Sequence, residues 1–290
     1  MTTSEEHTAA AGEAEAAGQA DEAGWILDYV TDKSYLEFKG LDKIGLGKID
    51  LPQFEPIELF GLSINLSPTK YVVYLWVAAL IVFVMMTLVA RTYRNGPVPH
   101  GFSNFIEVFV VFVRDEIVRP NIGEKADRYI PFLATIFFFI ATCNLLGLVP
   151  YGVSSTENIS VTAGLAIMSF VMIQAAGMSN NGVIGYLKGL VPHGLPVFIL
   201  PVMIIVEFLG LLTKPFALTV RLFANMTSGK IVILSLIGLI FFFQTVWVAP
   251  VSILFTLFII LLKMFISLLQ AYIFTMLSAL FIGMAVHQEH

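Results

Sequence analysis

Four ionisable side chains interrupt an apolar run in the stretch EFLGLLTKPFALTVRLFANMTSGK, from Glu207 to Lys230. They are Glu207, Lys214, Arg221 and Lys230. An ionisable group in hydrocarbon costs roughly 2.5–3.5 kcal/mol on insertion scales, so each is a candidate for function by default. Glu207, Lys214 and Arg221 are seven residues apart. Seven residues make nearly two helical turns, so the three share a face with about 20° of drift per heptad. Asn225 follows Arg221 by one turn on nearly the same face. The chemistry this pattern suits is ion handling. A carboxylate can bind and release a proton, whereas arginine keeps its charge in proteins and cannot pass a proton on.

The elements that must hold such a track are membrane helices. Of 290 residues 57% are hydrophobic and 13% charged, and the mean hydropathy is +0.85. A soluble domain carries about 25% charged residues. Thirteen of the 21 acids lie before residue 60, and after Arg128 only five Lys/Arg and three Asp/Glu remain. The single cysteine, Cys143, sits in an apolar run. It excludes an intrachain disulfide framework and a cysteine-rich metal site, and its role is that of a small buried apolar residue. His100, His193, His287 and His290 lie in loops or the tail with no second ligand at helical spacing, so no metal is expected. No phosphate loop is present, so neither a nucleotide site nor another cofactor is expected in this chain, and nothing points to nucleic acid.

The chain divides as follows. Residues 1–24, rich in Ala, Glu and Gly, read as a disordered acidic tail, without the basic and apolar regions of a secretory signal. Residues 25–70 read as an extracytoplasmic segment near the membrane surface, and 71–290 as the membrane domain. Spans are expected at about 71–90, 129–149, 159–176, 196–244 and 250–286. Between the first two, 102–118 carries Phe105, Phe109, Phe112 and Glu116 at helical spacing and reads as an amphipathic surface helix. A loop holding Asn180, Asn181, Lys188 and His193 is expected after the third span. The fold class is therefore an all-α polytopic membrane protein, with five membrane-embedded segments and one amphipathic surface helix. Six Lys/Arg between 91 and 128, and none in 150–158, place the N-terminus outside and the C-terminus in the cytoplasm.

The last two runs are too long for ordinary spans. About 49 residues make a helix of ~73 Å, against a hydrocarbon core of ~30 Å. They are expected to form a long, steeply tilted hairpin with its turn near Thr245 to Pro250. A turn centred there brings Arg221 level with Gln270 and Lys230 level with Lys263. Lys214, next to Pro215, reads as a structural or snorkelling residue.

LLTKPFALTVRLFANMTSG, followed by LLQAYIFTMLSALFIGMAVHQEH, resembles subunit a of the F-type ATP synthases, and CNLLGLVP resembles that family's segment after its second span. The resemblance covers most of the chain from about residue 71. It implies a non-catalytic, ion-translocating stator subunit in a bacterial plasma (inner) membrane. Its implied partners are the c-subunit ring, the b subunits of the peripheral stalk, the rest of the synthase and the bilayer. Two aqueous half-channels would deliver protons to the ring and so drive rotation and ATP synthesis. Carried over by position, Arg221 matches the essential stator arginine, Asn225 and Gln270 its polar neighbours, Glu207 a carboxylate of the cytoplasmic half-channel and Asn144 a polar position of the outer one.

One departure stands out. Where this family usually holds a Glu/His pair, the chain has Lys230 and Lys263. Three arrangements are open: neutralisation by a carboxylate, lipid head group or anion; a wet site in which both stay charged; or one neutral lysine passing protons. The departure also leaves open a sodium-coupled version of the same subunit. An unrelated secondary ion transporter is the competing class, although no internal repeat supports it.

Overall fold

The computed structural model describes residues 31–37, 48–55, 57–59, 62–64, 67–95, 101–149, 152–189, 200–243, 245 and 247–287. The expected tail 1–24 lies outside these, as do His100, His193 and His290. Two short antiparallel hairpins come first, β1 (Tyr35–Glu37) with β2 (Lys48–Asp50) and β3 (Ile57–Leu59) with β4 (Leu62–Ile64). They were not expected from the sequence, whose prolines and scattered charges give no alternation long enough to read.

Besides one four-residue helix, Arg119–Ile122, seven α-helices follow among the described residues: α1 (Lys70–Asn95), α2 (Phe102–Phe112), α3 (Ile130–Leu146), α4 (Ile159–Asn181), α5 (Val183–Gly189), α6 (Leu200–Phe243) and α7 (Val248–Val286). By length and composition four of them are able to cross a membrane, over Lys70–Tyr93, Ile159–Asn181, Ile205–Ile240 and Val248–Val286, and α3 is a shorter apolar helix. The chain is a helical, polytopic membrane protein. With 44 and 39 residues, α6 and α7 are about 66 and 58 Å long, far more than a ~30 Å hydrocarbon core requires.

Several boundaries differ from the sequence reading. α3 stops at Leu146 instead of running to Val149, because the chain turns back at once: a Cβ on Gly152 would lie 2.0 Å from the Leu146 carbonyl oxygen, and one on Gly147 would lie 2.6 Å from Ser154 Cβ. The returning residues Ser154 to Glu157 are buried and form a 3₁₀ turn over Ser155–Glu157. Asn158 then caps α4, its side-chain oxygen accepting from the Ser160 amide at 2.8 Å. Asn180 and Asn181, expected in a loop, end α4 instead, and α5 follows across Gly182, whose φ of 73° is one that glycine adopts without cost. α7 begins at Val248, so Pro250 falls in its first turn, where a missing amide leaves no bond unmade.

The amphipathic stretch is helical to Phe112 and then widens into a π-helical segment, Val113–Val118. Ile106, Val113, Ile117 and Val118 are buried against the other helices, whereas Phe102, Phe105 and Val108 are exposed. Arg114 donates to both carboxylate oxygens of Asp115, at 2.8 and 2.9 Å. That hydrogen bonding holds the Asp115 carboxyl below its ordinary range, aided by the charges of Arg114 and Arg119.

The chain falls into two compact units. Of the described residues, one comprises those within 34–226 and 264–287, and the other those within 227–263 together with 31–33. The core of the first holds Leu133, Ile136, Phe137, Ile140, Leu222, Met226, Phe274 and Ile282. The C-terminal part of α7 is seated there closely. A Cβ on Gly283 would lie 2.0 Å from the Asn121 carbonyl oxygen, Asn181 donates to the Ala285 carbonyl at 2.9 Å, and His287 Nε2 lies 2.7 Å from the Ile122 carbonyl oxygen.

Candidate functional site

α6 runs unbroken through Pro215. Proline removes the amide that would bond the carbonyl four residues back. Hydroxyls line this stretch: Thr213 donates to the Leu209 carbonyl at 2.6 Å and Thr219 to the Pro215 carbonyl at 2.8 Å. Beyond it, Leu218, Leu222 and Met226 form the buried stripe that fixes how the helix is turned. Arg221, about 100° round the helix from that stripe, is exposed. Along its own face lie Lys214, Ala217, Ala224, Asn225 and Ser228, while Leu209, Leu212, Phe216 and Val220 line a separate exposed apolar stripe, Phe216 at 68%. Among the described residues no hydrogen bond or ion pair engages Arg221.

Asn225 lies one turn on and donates from Nδ2 to Gln270 Oε1 at 2.8 Å. Gln270 is only 2% exposed, and its Nε2 is buried with no hydrogen-bond partner among the described residues. Gln270, expected at about the level of Arg221, pairs with Asn225, one turn further along. Two side chains that each reach across the helix gap need not sit opposite each other, and counting residues from a turn does not see that slack. Lys214 lies nearer the start of α6. Its Nζ stands 5.1 Å from the ring centroid of Phe281 on α7, a cation–π contact worth about 0.5–1 kcal/mol or more. The pairs 214 with 281 and 225 with 270 run in opposite senses along α6 and α7, so in this unit the two helices are antiparallel.

Asn144, fully buried near the end of α3, also reaches α7. Its Nδ2 donates to the Ser267 carbonyl at 3.1 Å, and its Oδ1 accepts from Thr156 Oγ1 at 2.6 Å. Glu207 is half-buried at the other end of the unit, where its charge acts on Tyr186 of α5. Burial raises the Tyr186 hydroxyl above its ordinary pKa, a Gln174 hydrogen bond lowers it in part, and the Glu207 charge raises it further. Tyr186 packs flat on Gly177 of α4, where a Cβ would lie 2.3 Å from the ring. The sequence reading missed Tyr186 and Gln174. Their signal was weak: one tyrosine after an Asn-Asn-Gly break, and one glutamine in an apolar helix.

The second unit holds the two lysines. Lys230 is 8% exposed and Lys263 4%. The Lys263 stem crosses α6 beside Gly229, whose added Cβ would lie 3.3 Å from Lys263 Cδ. The two lysines therefore stand at one level of this unit, on facing helices. Ser252 donates to the Leu236 carbonyl nearer the turn. The Thr227 and Thr256 hydroxyls are buried here with no partner among the described residues. Buried polar atoms of this kind are where ordered water is found.

Comparison with known proteins agrees with the motif. The family model described as ATP synthase A chain matches residues 72–283. ATP synthase subunit a of Chloroherpeton thalassium is 51% identical over 248 residues, covering 84% of this chain and 73% of that protein. ATP synthase subunit a of Anaeromyxobacter dehalogenans is 47% identical over 96% of this chain and 76% of its own, and that of Chlorobium phaeobacteroides (strain DSM 266) is 43% identical over 98% and 82%.

Proposed function

Because the chain belongs to the ATP synthase A chain family, we propose that it is the stator of the membrane sector of an FoF1 ATP synthase, feeding ions to a rotating c-subunit ring. The observation that carries this reading is the exposure of Arg221 in an apolar membrane-spanning helix, with no hydrogen-bond or ion-pair partner among the described residues. A guanidinium held against lipid is costly. A ring of c subunits, each presenting one carboxylate, answers both the apolar face and the charge.

The chemistry then follows from electrostatics. A rotor carboxylate arriving beside Arg221 meets a permanent cation. At about 4 Å and an effective dielectric of about 20 their attraction is about 4 kcal/mol, which favours the ionised carboxylate and expels its proton. The same cation repels protons moving directly from one access path to the other. Asn225 and Gln270, joined by their hydrogen bond, give this stretch a fixed polar floor. Glu207 serves the cytoplasmic access path. Asn144, Lys230 and Lys263 serve the outer one, where the buried hydroxyls of Thr227 and Thr256 favour water. A membrane potential supplies about 2.3 kcal/mol per charge per 100 mV to the rotation. The b subunits and the rest of the synthase hold the stator still. The N-terminus lies outside and the C-terminus inside a bacterial inner membrane, as the lysine and arginine distribution requires. The great length of α6 and α7 suits helices that cross the bilayer obliquely along the ring.

Replacement of Arg221 tests the reading. In vesicles carrying the whole complex, Arg221→Ala is expected to abolish ATP-driven proton pumping while assembly persists. Full coupled pumping by that variant would overturn the assignment.

A further inference from the structure

After Arg128 the chain has three carboxylates, Glu157, Glu207 and Glu289. The first two belong to one compact unit and mark opposite ends of α4. Glu157 stands two residues before its first residue, Ile159. Glu207 acts on Tyr186, which packs on Gly177 near its last turn. The 23 residues of α4 separate these ends by about 35 Å, the full depth of a hydrocarbon core. In the stretch after Arg128, these two acids of the unit therefore stand about a hydrocarbon core's depth apart.

Glu157 is 4% exposed. Burying a carboxylate is costly, and local structure does not require one here. The N-cap of α4 is made by Asn158. The turn itself is closed by the Glu157 amide donating to the Ser154 carbonyl at 3.0 Å. Its chain neighbours in the turn form a hydroxyl-rich cluster. Ser154 and Thr156 hydroxyls lie 2.7 Å apart, Ser155 donates to the Tyr71 carbonyl at 3.0 Å, and Thr156 donates to Asn144 at 2.6 Å. The cluster is thus bonded to Asn144, and Asn144 to α7. On the helices packed against the turn, the titratable side chains toward this end are Lys70, Tyr71 and Tyr74 of α1 and Cys143 of α3, and α4 has none. Lys70 is buried and supplies a cation.

We propose that Glu157 is the proton-exchanging carboxylate of the outer access path, doing there what Glu207 does on the cytoplasmic side. This rests on the stator reading above. The step is a simple exchange: the carboxylate takes a proton from hydronium at the outer surface, leaving water, and returns it to water or to the rotor carboxylate further in. It explains how that path keeps a titratable acid although Lys230 and Lys263 occupy the positions where the family usually has a Glu/His pair. Lysines repel an incoming cation; a carboxylate collects it.

The test uses the intact complex in vesicles, with Arg221→Ala alongside. Glu157→Gln keeps shape and hydrogen-bonding reach but cannot ionise, and is expected to cut ATP-driven proton pumping at least fivefold per assembled complex. Glu157→Asp should recover at least half of the rate. Wild-type pumping by Glu157→Gln overturns the proposal, as does equal impairment of the Gln and Asp variants, which marks a packing role. If Arg221→Ala also pumps normally, the stator reading fails; if Arg221→Ala is dead and Glu157→Gln is normal, only the present proposal fails. Should Glu157→Gln not assemble, Glu157→Cys in a Cys143→Ser background decides. Modification by an impermeant methanethiosulfonate added outside supports the proposal, and no modification from that side overturns it.

Discussion

α6 treats its cations in two opposite ways. Arg221 is exposed with no protein partner among the described residues, whereas Lys230 is buried against the helix that carries Lys263. Both are basic side chains in an apolar helix, yet their settings call for different kinds of neutralisation. On the stator reading, the exposed charge is completed from outside the chain, by a partner that brings a carboxylate. The buried pair lies in a unit that also holds the buried Thr227 and Thr256 hydroxyls. On the same reading, a charge that must meet a moving partner stands on the surface, and charges that only shape a path are enclosed.

The largest effect expected from breaking this contrast comes from Arg221→Lys. Lysine keeps the charge at neutral pH in water but presents a compact ammonium that a desolvated site can deprotonate. ATP synthesis driven by a proton gradient should fall about tenfold or more, equivalent to at least roughly 1.4 kcal/mol of barrier. Near-normal synthesis would show that any cation suffices and that permanence of charge is not the point. A smaller effect is expected on the buried side. Lys230→Met and Lys263→Met keep length and apolar packing, and each should slow proton pumping about two- to fivefold, or roughly 0.4–1 kcal/mol. Wild-type rates from both single variants and the double variant, at neutral and at alkaline pH, would remove the lysines from the path. Repeating the pumping assay with and without sodium identifies the coupling ion. The smallest effect belongs to Gly229→Ala. The new Cβ meets the flexible Lys263 stem at 3.3 Å, so the stem shifts by a few tenths of an ångström, and the helix gains up to about 1 kcal/mol in propensity. Pumping should change less than about twofold, and a larger loss would show that the Lys263 position is held tightly.

Much of the helical layout was legible because apolar runs bounded by charges and prolines announce themselves through hydropathy. Arg221 was legible as a candidate because a charge in such a run is conspicuous, and its motif pointed to the family to which the chain belongs. The direction it faces was not: heptad spacing groups Glu207, Lys214 and Arg221 on one face, but only the buried stripe of Leu218, Leu222 and Met226 shows which face turns inward. Lys214, on that same nominal face, turns to Phe281 instead, because a long side chain and helix drift carry it around. The pairing of Gln270 with Asn225 was not legible for a related reason, since residue counting fixes backbone level and not side-chain reach. Glu157 stayed hidden in a stretch that looked like an ordinary loop. Its burial depends on the chain folding back at Gly147 and Gly152, a tertiary event with no periodic signature.

The outward arginine also bears on how the protein is handled before it is assembled. A newly inserted copy lying alone in the bilayer presents Arg221 to lipid, at a cost of roughly 2.5–3.5 kcal/mol. On the stator reading, that penalty is relieved when a carboxylate-bearing partner covers the arginine. The unassembled subunit would then be strained in a way that the assembled one is not, its helix favouring a tilt that lets the guanidinium find water. On the same reading, orphaned copies are marked by their own instability, and degradation of less stable membrane proteins would clear them without a dedicated signal.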